Sequence, residues 1–464
     1  MKRENRISRL GFILLSAGCA IGIGNVWRFP YVAGQSGGGV FLLFYFIFLA
    51  VLGIPVLTME FSVGRAARRS IAKLHGELLE GRPSGRWWLI HGVGGTVGNF
   101  VLMMFYTTVA GWMVIYFLKM AAGDFAALGS QEIEAAFGGM LGDWQVQGAA
   151  MCGVCVACAL VCAIGLNKGL DRVVKWMMLA LLLLIVVLAA NGIVTDLRGE
   201  HPSGLHFLFV PDFARFREAG PVKVVVNAMN QAFFTLSLGI GAMAIFGSYI
   251  EKDRRLAGEA LNVAALDTVV ALSAGIIILP ACFAHGVEPG QGPGLIFVTL
   301  PNVFNHMPYG RVWGALFFLF MCFAALSTVL AVFETIIACL GDYFPRLGRR
   351  GACAIVAVAM PLLSLPCIFG FNLWSSFQPF GEGSCVLDLE DFILSNLLLP
   401  LGAIAFVVFC TRRCGWGFGK FLAEANTGRG FKLSASLEFY STWILPVIIF
   451  LVFAAGLLEK AGWI

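Results

Sequence analysis

Charged residues are scarce in this chain. Only 13% of its 464 residues are Asp, Glu, Lys or Arg, whereas 59% are hydrophobic. A water-soluble domain of this length would need a far more polar surface than so few charges provide. Residues 144–166 and 176–194 contain no charge at all, and each stretch is close to the roughly 20 residues that a transmembrane helix needs. The composition therefore predicts an all-α polytopic membrane protein.

Apolar windows along the chain predict eleven transmembrane helices. They run over residues 10–34, 39–64, 87–120, 145–166, 173–195, 222–249, 257–285, 310–341, 351–369, 388–411 and 439–458.

Basic residues mark one side of the membrane. They precede the first span, as Lys2 and Arg3 do, and crowd after the second, fourth, sixth, eighth and tenth spans, where Arg412 and Arg413 are examples. The positive-inside rule therefore predicts a cytoplasmic N-terminus and, with eleven spans, a C-terminus outside the cell. The net charge of +5 reflects this bias and does not indicate a nucleic-acid-binding surface.

One run of cysteines needs an interpretation. Cys152, Cys155, Cys158 and Cys162 have a spacing similar to that of iron–sulfur ligands. All four lie along one face of a charge-free span, whereas a cluster needs ligands that surround it from a loop. We interpret them as apolar packing residues, and we expect neither an iron–sulfur cluster nor disulfides.

Two predicted spans share an unusual pair of glycines. "CAIGIGNVWRFP" in the first span contains Gly22 and Gly24, and "SLGIGAM" in the sixth contains Gly239 and Gly241. Two glycines disfavour a helix by about 2 kcal/mol relative to alanine. Such glycines can mark close helix packing, but Asn25 directly after the first pair favours a break. Irregular backbone at membrane depth is tolerated where it lines a cavity, and matching breaks in two halves indicate a transporter's binding site.

A broken helix has specific chemistry. It frees carbonyl oxygens, which suit a hard cation, and it exposes amides at the start of a half-helix, which suit a carboxylate. One break can therefore bind a cation and an anionic group side by side, as an amino acid with a coupled metal ion requires.

The other spans contain few polar groups. Asp267 lies in an otherwise apolar helix, where a carboxylate is usually functional, although a locally bonded structural Asp is the alternative. Ser327 and Thr328 are adjacent hydroxyls that could equally bond back to their own helix. Tyr106 in mid-span is typical of packing with a satisfied hydroxyl.

Two further span carboxyls, Glu60 and Glu334, are interpreted as structural. Glu60 could accept hydrogen bonds from amides that a broken helix frees. The six histidines lie outside helix centres or are isolated, so we expect none to pair as metal ligands.

Several stretches closely resemble the neurotransmitter:sodium symporter family. They are "RLGFILLSAGCAIGIGNVWRFPYVAGQSGGGVFLLFYFIFLAVLGIPVLTMEFSVG", "FYTTVAGW", "NQAFFTLSLGIGAM", "LDTVVALSAGIIILPA" and "FAALSTVLAVFE". The resemblance covers essentially the whole chain and implies one transporter domain over 1–464 with a LeuT-type 5+5 inverted repeat. The repeats would span 10–195 and 222–411, with helices one and six discontinuous and 439–458 an extra eleventh helix. Eleven spans resembles a common bacterial variant and implies the cytoplasmic (inner) membrane of a bacterium.

The resemblance also implies sodium-coupled amino-acid uptake with two Na+ sites. The first site would use the Ala20 carbonyl, Asn25, Thr235, Asp267 and the substrate carboxylate. The second would use the carbonyls of Gly18, Ile21 and Ala324 and the hydroxyls of Ser327 and Thr328.

Substrate selectivity follows from the same resemblance. Gly22 stands where amine-transporting members carry an Asp, so the substrate should bring its own carboxylate to the amides near Ile23 and Gly24 and to the Tyr106 hydroxyl. Its ammonium would meet the carbonyls of Ala20, Phe234 and Thr235, with Ser237 or Thr328. The side-chain pocket would be lined by Ile23, Leu102, Val109, Phe234, Ile240 and Val332, which suits an apolar α-amino acid.

Asp267 carries a further expectation. Many animal members have Asn there and need chloride nearby, whereas a fixed carboxylate beside Na+ supplies that negative charge. We therefore expect chloride-independent transport.

Two gates are implied by resemblance. Arg28 and Asp391 would form the outer gate, under which Phe234 and Tyr106 cover the substrate. Arg3 and Asp342 would form the inner gate.

Other functions fit the sequence less well. Long cytoplasmic tails would favour an amino-acid sensor. Two broken helices around a pocket, with gates on both sides, argue against the continuous pore of a channel. An enzyme would need catalytic or nucleotide-binding motifs, which this sequence does not show. Proton coupling on the same fold remains an alternative, although it leaves the second-site hydroxyls without a role.

Overall fold

The computed structural model describes residues 8–79, 85–126, 128–198, 203–284 and 294–460. Within these ranges the secondary structure is helical, and extended pairing is limited to two isolated bridges. The helices are α1 (Arg9–Ala20), α2 (Gly24–Gln35), α3 (Gly39–Ala67), α4 (Leu74–Leu78), α5 (Gly85–Ala122), α6 (Ser130–Gly142), α7 (Trp144–Ile164), α8 (Gly169–Arg198), α9 (Gly204–Phe209), α10 (Phe213–Ala219), α11 (Pro221–Thr235), α12 (Ala242–Gly247), α13 (Leu256–Ala284), α14 (Leu300–His306), α15 (Gly310–Tyr343), α16 (Gly348–Phe369), α17 (Val386–Thr411), α18 (Phe418–Ala425) and α19 (Leu437–Leu458).

Nine of the described helices are long and apolar enough to cross a membrane, and the pair α1 and α2 passes the same test as one bent span. The protein is therefore a multi-pass membrane protein. The sixth predicted span, 222–249, is occupied by α11 and α12, neither of which is long enough to cross alone.

The first predicted span begins at a capped helix end. The Ser8 hydroxyl accepts a hydrogen bond from the Gly11 amide at 3.1 Å, which satisfies one of the free donors of α1. The helix ends at Ala20, two residues before Gly22, and the axis of α2 makes an angle of 56° with that of α1.

A second interruption separates α11 from α12. Gly239 and Gly241 have φ angles of +96° and +72°, a region that glycine adopts with no steric penalty. The chain therefore runs without helical structure from the end of α11 at Thr235 to Ala242.

Helix burial separates the centre of the bundle from its rim. The most apolar window of α15 is 78% buried, whereas those of α8 and α19 are 28% buried. Exposed apolar side chains such as Leu183 and Val186 on α8 belong to the face toward the lipid. Because α1 packs against α13 and α15, α2 packs against α11 and α13, and α12 packs against α3 and α15, both interruptions lie in the interior.

Candidate functional site

The interruption between α1 and α2 leaves backbone groups that side chains from other helices satisfy. The Ile23 amide donates to the Tyr106 hydroxyl of α5 at 2.8 Å, and the Gly22 amide points at the Asn25 side-chain oxygen at 3.4 Å. Gln231 of α11 donates to the Gly24 carbonyl at 3.1 Å. The backbone groups at the break are therefore hydrogen-bonded within the core, as buried backbone groups generally are.

Three polar side chains meet on one flank of the break. Asp267 of α13 accepts from the Asn25 side-chain amide at 2.7 Å and from the Thr235 hydroxyl at 2.7 Å. All three residues are fully buried. The sequence places these residues on three separate spans, and the structure joins them into one oxygen-rich cluster.

A second group of oxygens lies on the other flank. The Thr328 hydroxyl of α15 lies 3.1 Å from the Gly18 carbonyl and 3.3 Å from the Ile21 carbonyl. The Ser327 hydroxyl donates to the Ala324 carbonyl at 2.9 Å, and that carbonyl is also 3.4 Å from Thr328. The last turn of α1, whose carbonyls lack helical partners, therefore faces the adjacent hydroxyls of α15.

Carbonyl, hydroxyl and carboxylate oxygens dominate both clusters. Such ligands suit a hard cation rather than a thiophilic metal. Among the residues that the structure describes, no three His, Cys, Asp or Glu side chains are grouped as ligands of a transition metal.

A small cavity lies at the break between α1 and α2. Its volume for water-sized spheres is about 20 Å³, close to what a single water molecule needs. Eight of the residues predicted to bind substrate line it: Ala20, Gly24, Leu102, Tyr106, Phe234, Ser237, Ile240 and Thr328.

The lining also differs from the prediction. Ile23, Val109, Thr235 and Val332 do not line the cavity, whereas Cys19, Gly22, Leu394 and Leu399 do. Cys19 and Gly22 belong to the interrupted segment, so their position in the sequence was a usable signal. Leu394 and Leu399 come from α17, and no polar or glycine signal in that helix points to the cavity.

Phe234 covers one side of the cavity, beneath a polar contact. The Arg28 guanidinium lies 4.5 Å from the centre of the Phe234 ring and 3.7 Å from the Asp391 carboxylate. Ser395 joins the pair, because it accepts from Arg28 at 3.1 Å and donates to Asp391 at 2.7 Å. The structure thus brings the predicted outer pair together, directly above the predicted aromatic cover.

Asp342, at the opposite end of the bundle, is bonded elsewhere. It accepts from the Ser70 amide at 2.8 Å and from the Ser70 hydroxyl at 2.6 Å, and Arg69 lies 3.6 Å away. Its predicted partner Arg3 lies outside the described residues.

The non-helical segment 236–241 is fixed by groups from other helices. The Gly239 amide donates to Glu60 at 2.6 Å, as the sequence suggested for this carboxyl, and Asn99 donates to the Ile240 carbonyl at 2.9 Å. Two histidines lie next to this segment. His91 and His75 contact each other at 3.0 Å, and His91 lies 3.4 Å from the Gly239 carbonyl. The loop after α3 returns His75 to the start of α5, which linear spacing does not reveal.

The fold and the site together define a membrane transporter. Interrupted helices place two oxygen clusters and a small cavity among helices that can cross a membrane, with the Arg28–Asp391 ion pair next to the Phe234 ring. This arrangement belongs to proteins that bind a small solute and an ion in the bilayer interior.

Comparison with known proteins specifies the family. A sequence model of the Sodium:neurotransmitter symporter family matches residues 3–127 and 137–461, and the chain belongs to that family. Membership makes it a secondary transporter and not an enzyme, and it confirms the resemblance drawn from the sequence motifs.

Individual relatives are similar over the whole chain. An uncharacterized sodium-dependent transporter of Bacillus subtilis (strain 168), YhdH, is 32% identical over 452 residues, which cover 96% of each protein. The Drosophila melanogaster sodium- and chloride-dependent GABA transporter ine is 24% identical, over 99% of this chain and 51% of that protein. The crystal structure of MhsT in complex with L-phenylalanine superposes with a TM-score of 0.86 at 35% identity, over 98% of this chain and 99% of that one.

Proposed function

We propose that this protein imports an apolar α-amino acid by symport with Na+, through alternating access. The observation that carries the proposal is the cavity at the break between α1 and α2, which has an oxygen cluster on each flank. Two relatives support it: the B. subtilis protein is described as sodium-dependent, and the structurally similar MhsT binds L-phenylalanine.

Two Na+ ions are proposed as co-transported substrates. The first would be bound by Asn25, Thr235, Asp267, the Ala20 carbonyl and the substrate carboxylate. The second would be bound by the carbonyls of Gly18, Ile21 and Ala324 and the hydroxyls of Ser327 and Thr328. In the second cluster the single Thr328 hydroxyl faces three carbonyl oxygens, so a cation would satisfy oxygens that one donor cannot.

The amino acid is proposed to bind between them. Its carboxylate would meet the amides near Ile23 and Gly24 and the Tyr106 hydroxyl, while its ammonium would meet the carbonyls of Ala20, Phe234 and Thr235, with Ser237 or Thr328. The side chain of the substrate would face Leu102, Ile240 and the Phe234 ring. These residues carry no charge, so they favour an apolar substrate side chain over a charged one. Because the cavity is barely larger than a water molecule, substrate entry requires these side chains to move apart.

Transport is proposed to be independent of chloride. Asp267 is buried between Asn25 and Thr235 and supplies a fixed negative charge next to the first Na+. Replacing chloride by gluconate in proteoliposomes should leave sodium-driven uptake unchanged, and a large loss of uptake would contradict this proposal.

The family architecture is proposed for the chain as a whole. It comprises one domain, with repeats over 10–195 and 222–411, an eleventh helix over 439–458, and eleven spans of which the first and sixth are discontinuous. The proposed location is a bacterial inner membrane with the N-terminus in the cytoplasm. Arg28 and Asp391 would then form the outer gate.

A thermal-shift screen tests the function directly. The purified full-length protein is heated with each of the twenty amino acids, in Na+ and then in K+. Because a ligand stabilises the form to which it binds, we expect a rise in Tm for a group of apolar amino acids in Na+ only. Equal shifts in K+, or shifts for charged amino acids alone, would contradict the proposal.

A further inference from the structure

Two adjacent carboxyl groups in α17 have opposite surroundings. Asp391 is 35% exposed, faces Arg28 and accepts a hydrogen bond from Ser395. Glu390 is only 5% exposed, and among the described residues its carboxyl oxygens meet no hydrogen-bond donor stronger than the Cys367 thiol. The proposed transport cycle gives Asp391 a role and leaves Glu390 without one.

The neighbours of Glu390 stabilise a charge only weakly, because a thiol is a weak hydrogen-bond donor. Its helix turn packs against α5 and α16, from which the Thr108 hydroxyl and the Cys367 thiol face this region. The other titratable groups close by are the Cys385 thiol and, on its own helix, the carboxyl groups of Asp388 and Asp391. In the described part of the chain no Lys, Arg or His forms an ion pair with it. An ionised carboxylate is costly in such a place, so this conformation favours the neutral acid.

The same helix turn is connected to the proposed outer gate. Leu394, one turn beyond Glu390, lines the central cavity, and Ser395 bonds both gate residues. Residues Phe392–Leu398 form a π-helical segment, a geometry that is less stable than the α-helix and recurs at functional sites. Separation of Arg28 from Asp391 would therefore move the segment that begins beside Glu390 and admit water to it. A hydrated Glu is ionised at neutral pH.

We propose that Glu390 is a proton-binding site whose occupancy is linked to the outer gate. With the gate closed, the carboxyl group holds a proton. When the gate opens, the O–H bond breaks, the electron pair stays on the carboxylate oxygen and the proton passes to external water. This inference rests on the proposed function, because it takes the contact between Arg28 and Asp391 as the outer gate.

The linkage has a definite sign. Substrate binding closes the gate, so binding must return a proton to Glu390 whenever the open form is ionised. The dissociation constant of the amino acid therefore rises with pH, by up to about tenfold per pH unit where the open form is ionised and the closed form is protonated.

Two measurements on the full-length protein in saturating Na+ test this site. The first is the Kd of the apolar amino acid that gives the largest Na+-dependent rise in Tm, beginning with L-phenylalanine, from about pH 6 to about pH 8. The second is the uptake of protons on adding that amino acid, followed with a pH-sensitive dye in weak buffer. Wild type should bind several-fold more weakly at the alkaline end and take up as much as about one proton per bound substrate.

Matched variants assign the proton to this carboxyl group. Glu390→Gln is neutral at every pH, so its affinity should stay at the tight, acid-limit value and its proton uptake should disappear. Glu390→Met serves the same purpose if the Gln variant does not fold. Glu382→Gln removes an exposed carboxyl nearby in the sequence and should keep the wild-type pH dependence.

The outcomes separate this inference from the function on which it rests. A wild-type Kd that does not change with pH, or an unchanged pH dependence and proton uptake in Glu390→Gln, overturns the proton site while leaving Na+-dependent amino-acid binding intact. Failure of the wild type to bind any apolar amino acid in Na+ at every pH overturns the proposed function instead.

Discussion

Gly22 leaves room for the hydroxyl of Tyr106. A Cβ atom added at Gly22 would lie 2.1 Å from the Tyr106 hydroxyl oxygen and 2.7 Å from the Thr328 hydroxyl oxygen. These two side chains reach the centre of the site from α5 and α15, where the Tyr106 hydroxyl accepts a hydrogen bond from the Ile23 amide. The missing side chain at Gly22 therefore allows both of them to contact the interrupted backbone.

Gly22→Ala should abolish tight substrate binding. The added methyl group must displace Tyr106 or Thr328 from a packed core, which typically costs about 1–3 kcal/mol. We expect the Kd of the amino acid in Na+ to rise at least about tenfold, measured by equilibrium binding. Gly153→Ala in α7 is the control, because a Cβ there meets no atom within 4 Å and binding should not change. Wild-type affinity in Gly22→Ala would show that Tyr106 and Thr328 do not need this space.

Thr328→Val should weaken Na+ binding. The substitution keeps the side-chain shape but removes the hydroxyl that lies close to the Gly18 and Ile21 carbonyls. We expect the Na+ concentration for half-maximal substrate binding to rise about tenfold, equivalent to about 1.4 kcal/mol. Thr335→Val is the matched control, since Thr335 lies two turns further along the same helix, is equally buried and bonds only back to the Ala331 carbonyl. Equal effects of the two variants would count against a Na+ site at Thr328.

Asp267→Asn should make transport respond to chloride. The change keeps the side-chain size between Asn25 and Thr235 but removes the fixed negative charge and one of the two acceptor oxygens. We expect Na+-driven uptake to fall at least about tenfold in gluconate medium and to recover partly in chloride, because an anion can replace the lost charge. Uptake into proteoliposomes in the two media measures this. A variant that loses no uptake in gluconate would show that the Asp267 charge is not needed for Na+ coupling.

Arg28→Gln should speed substrate release. The guanidinium covers the Phe234 ring and pairs with Asp391. Because this pair is partly exposed, its own contribution to stability is small, and we expect a normal Tm with a dissociation rate raised about tenfold. Arg215→Gln is the control: Arg215 makes the same two kinds of contact, over the Phe207 ring and with Asp212, away from the cavity. An unchanged rate of substrate dissociation from Arg28→Gln would show that Arg28 is not part of the gate.

The sequence located the helices and the two irregular segments well. Apolar windows predicted 351–369 and 39–64, and the structure has helices over Gly348–Phe369 and Gly39–Ala67. The glycine pairs at 22/24 and 239/241 both lie where the helical path is interrupted. Hydropathy and glycine content are local properties of short stretches of sequence. Both can therefore be recognised without knowing how the chain folds.

Other features could not be read in this way. Helices α6, α9, α10 and α18 connect spans and are too short or too polar to give an apolar window. The contact of His75 with His91 was missed because it depends on how α4 packs against α5. Leu394 and Leu399 reach the cavity only because α17 packs against the interrupted segment, and an ordinary leucine gives no sign of that.

The sequence by itself therefore determined that this chain crosses the membrane repeatedly, where its helices lie and where two of them are interrupted, because these properties follow from local hydropathy and backbone preference. Only the tertiary structure decided which oxygens meet, as when Thr328 meets a carbonyl 310 residues away, and which of two adjacent carboxyl groups is buried. Contacts between distant residues and the burial of a single side chain depend on how whole helices pack, and no short stretch of sequence contains that information.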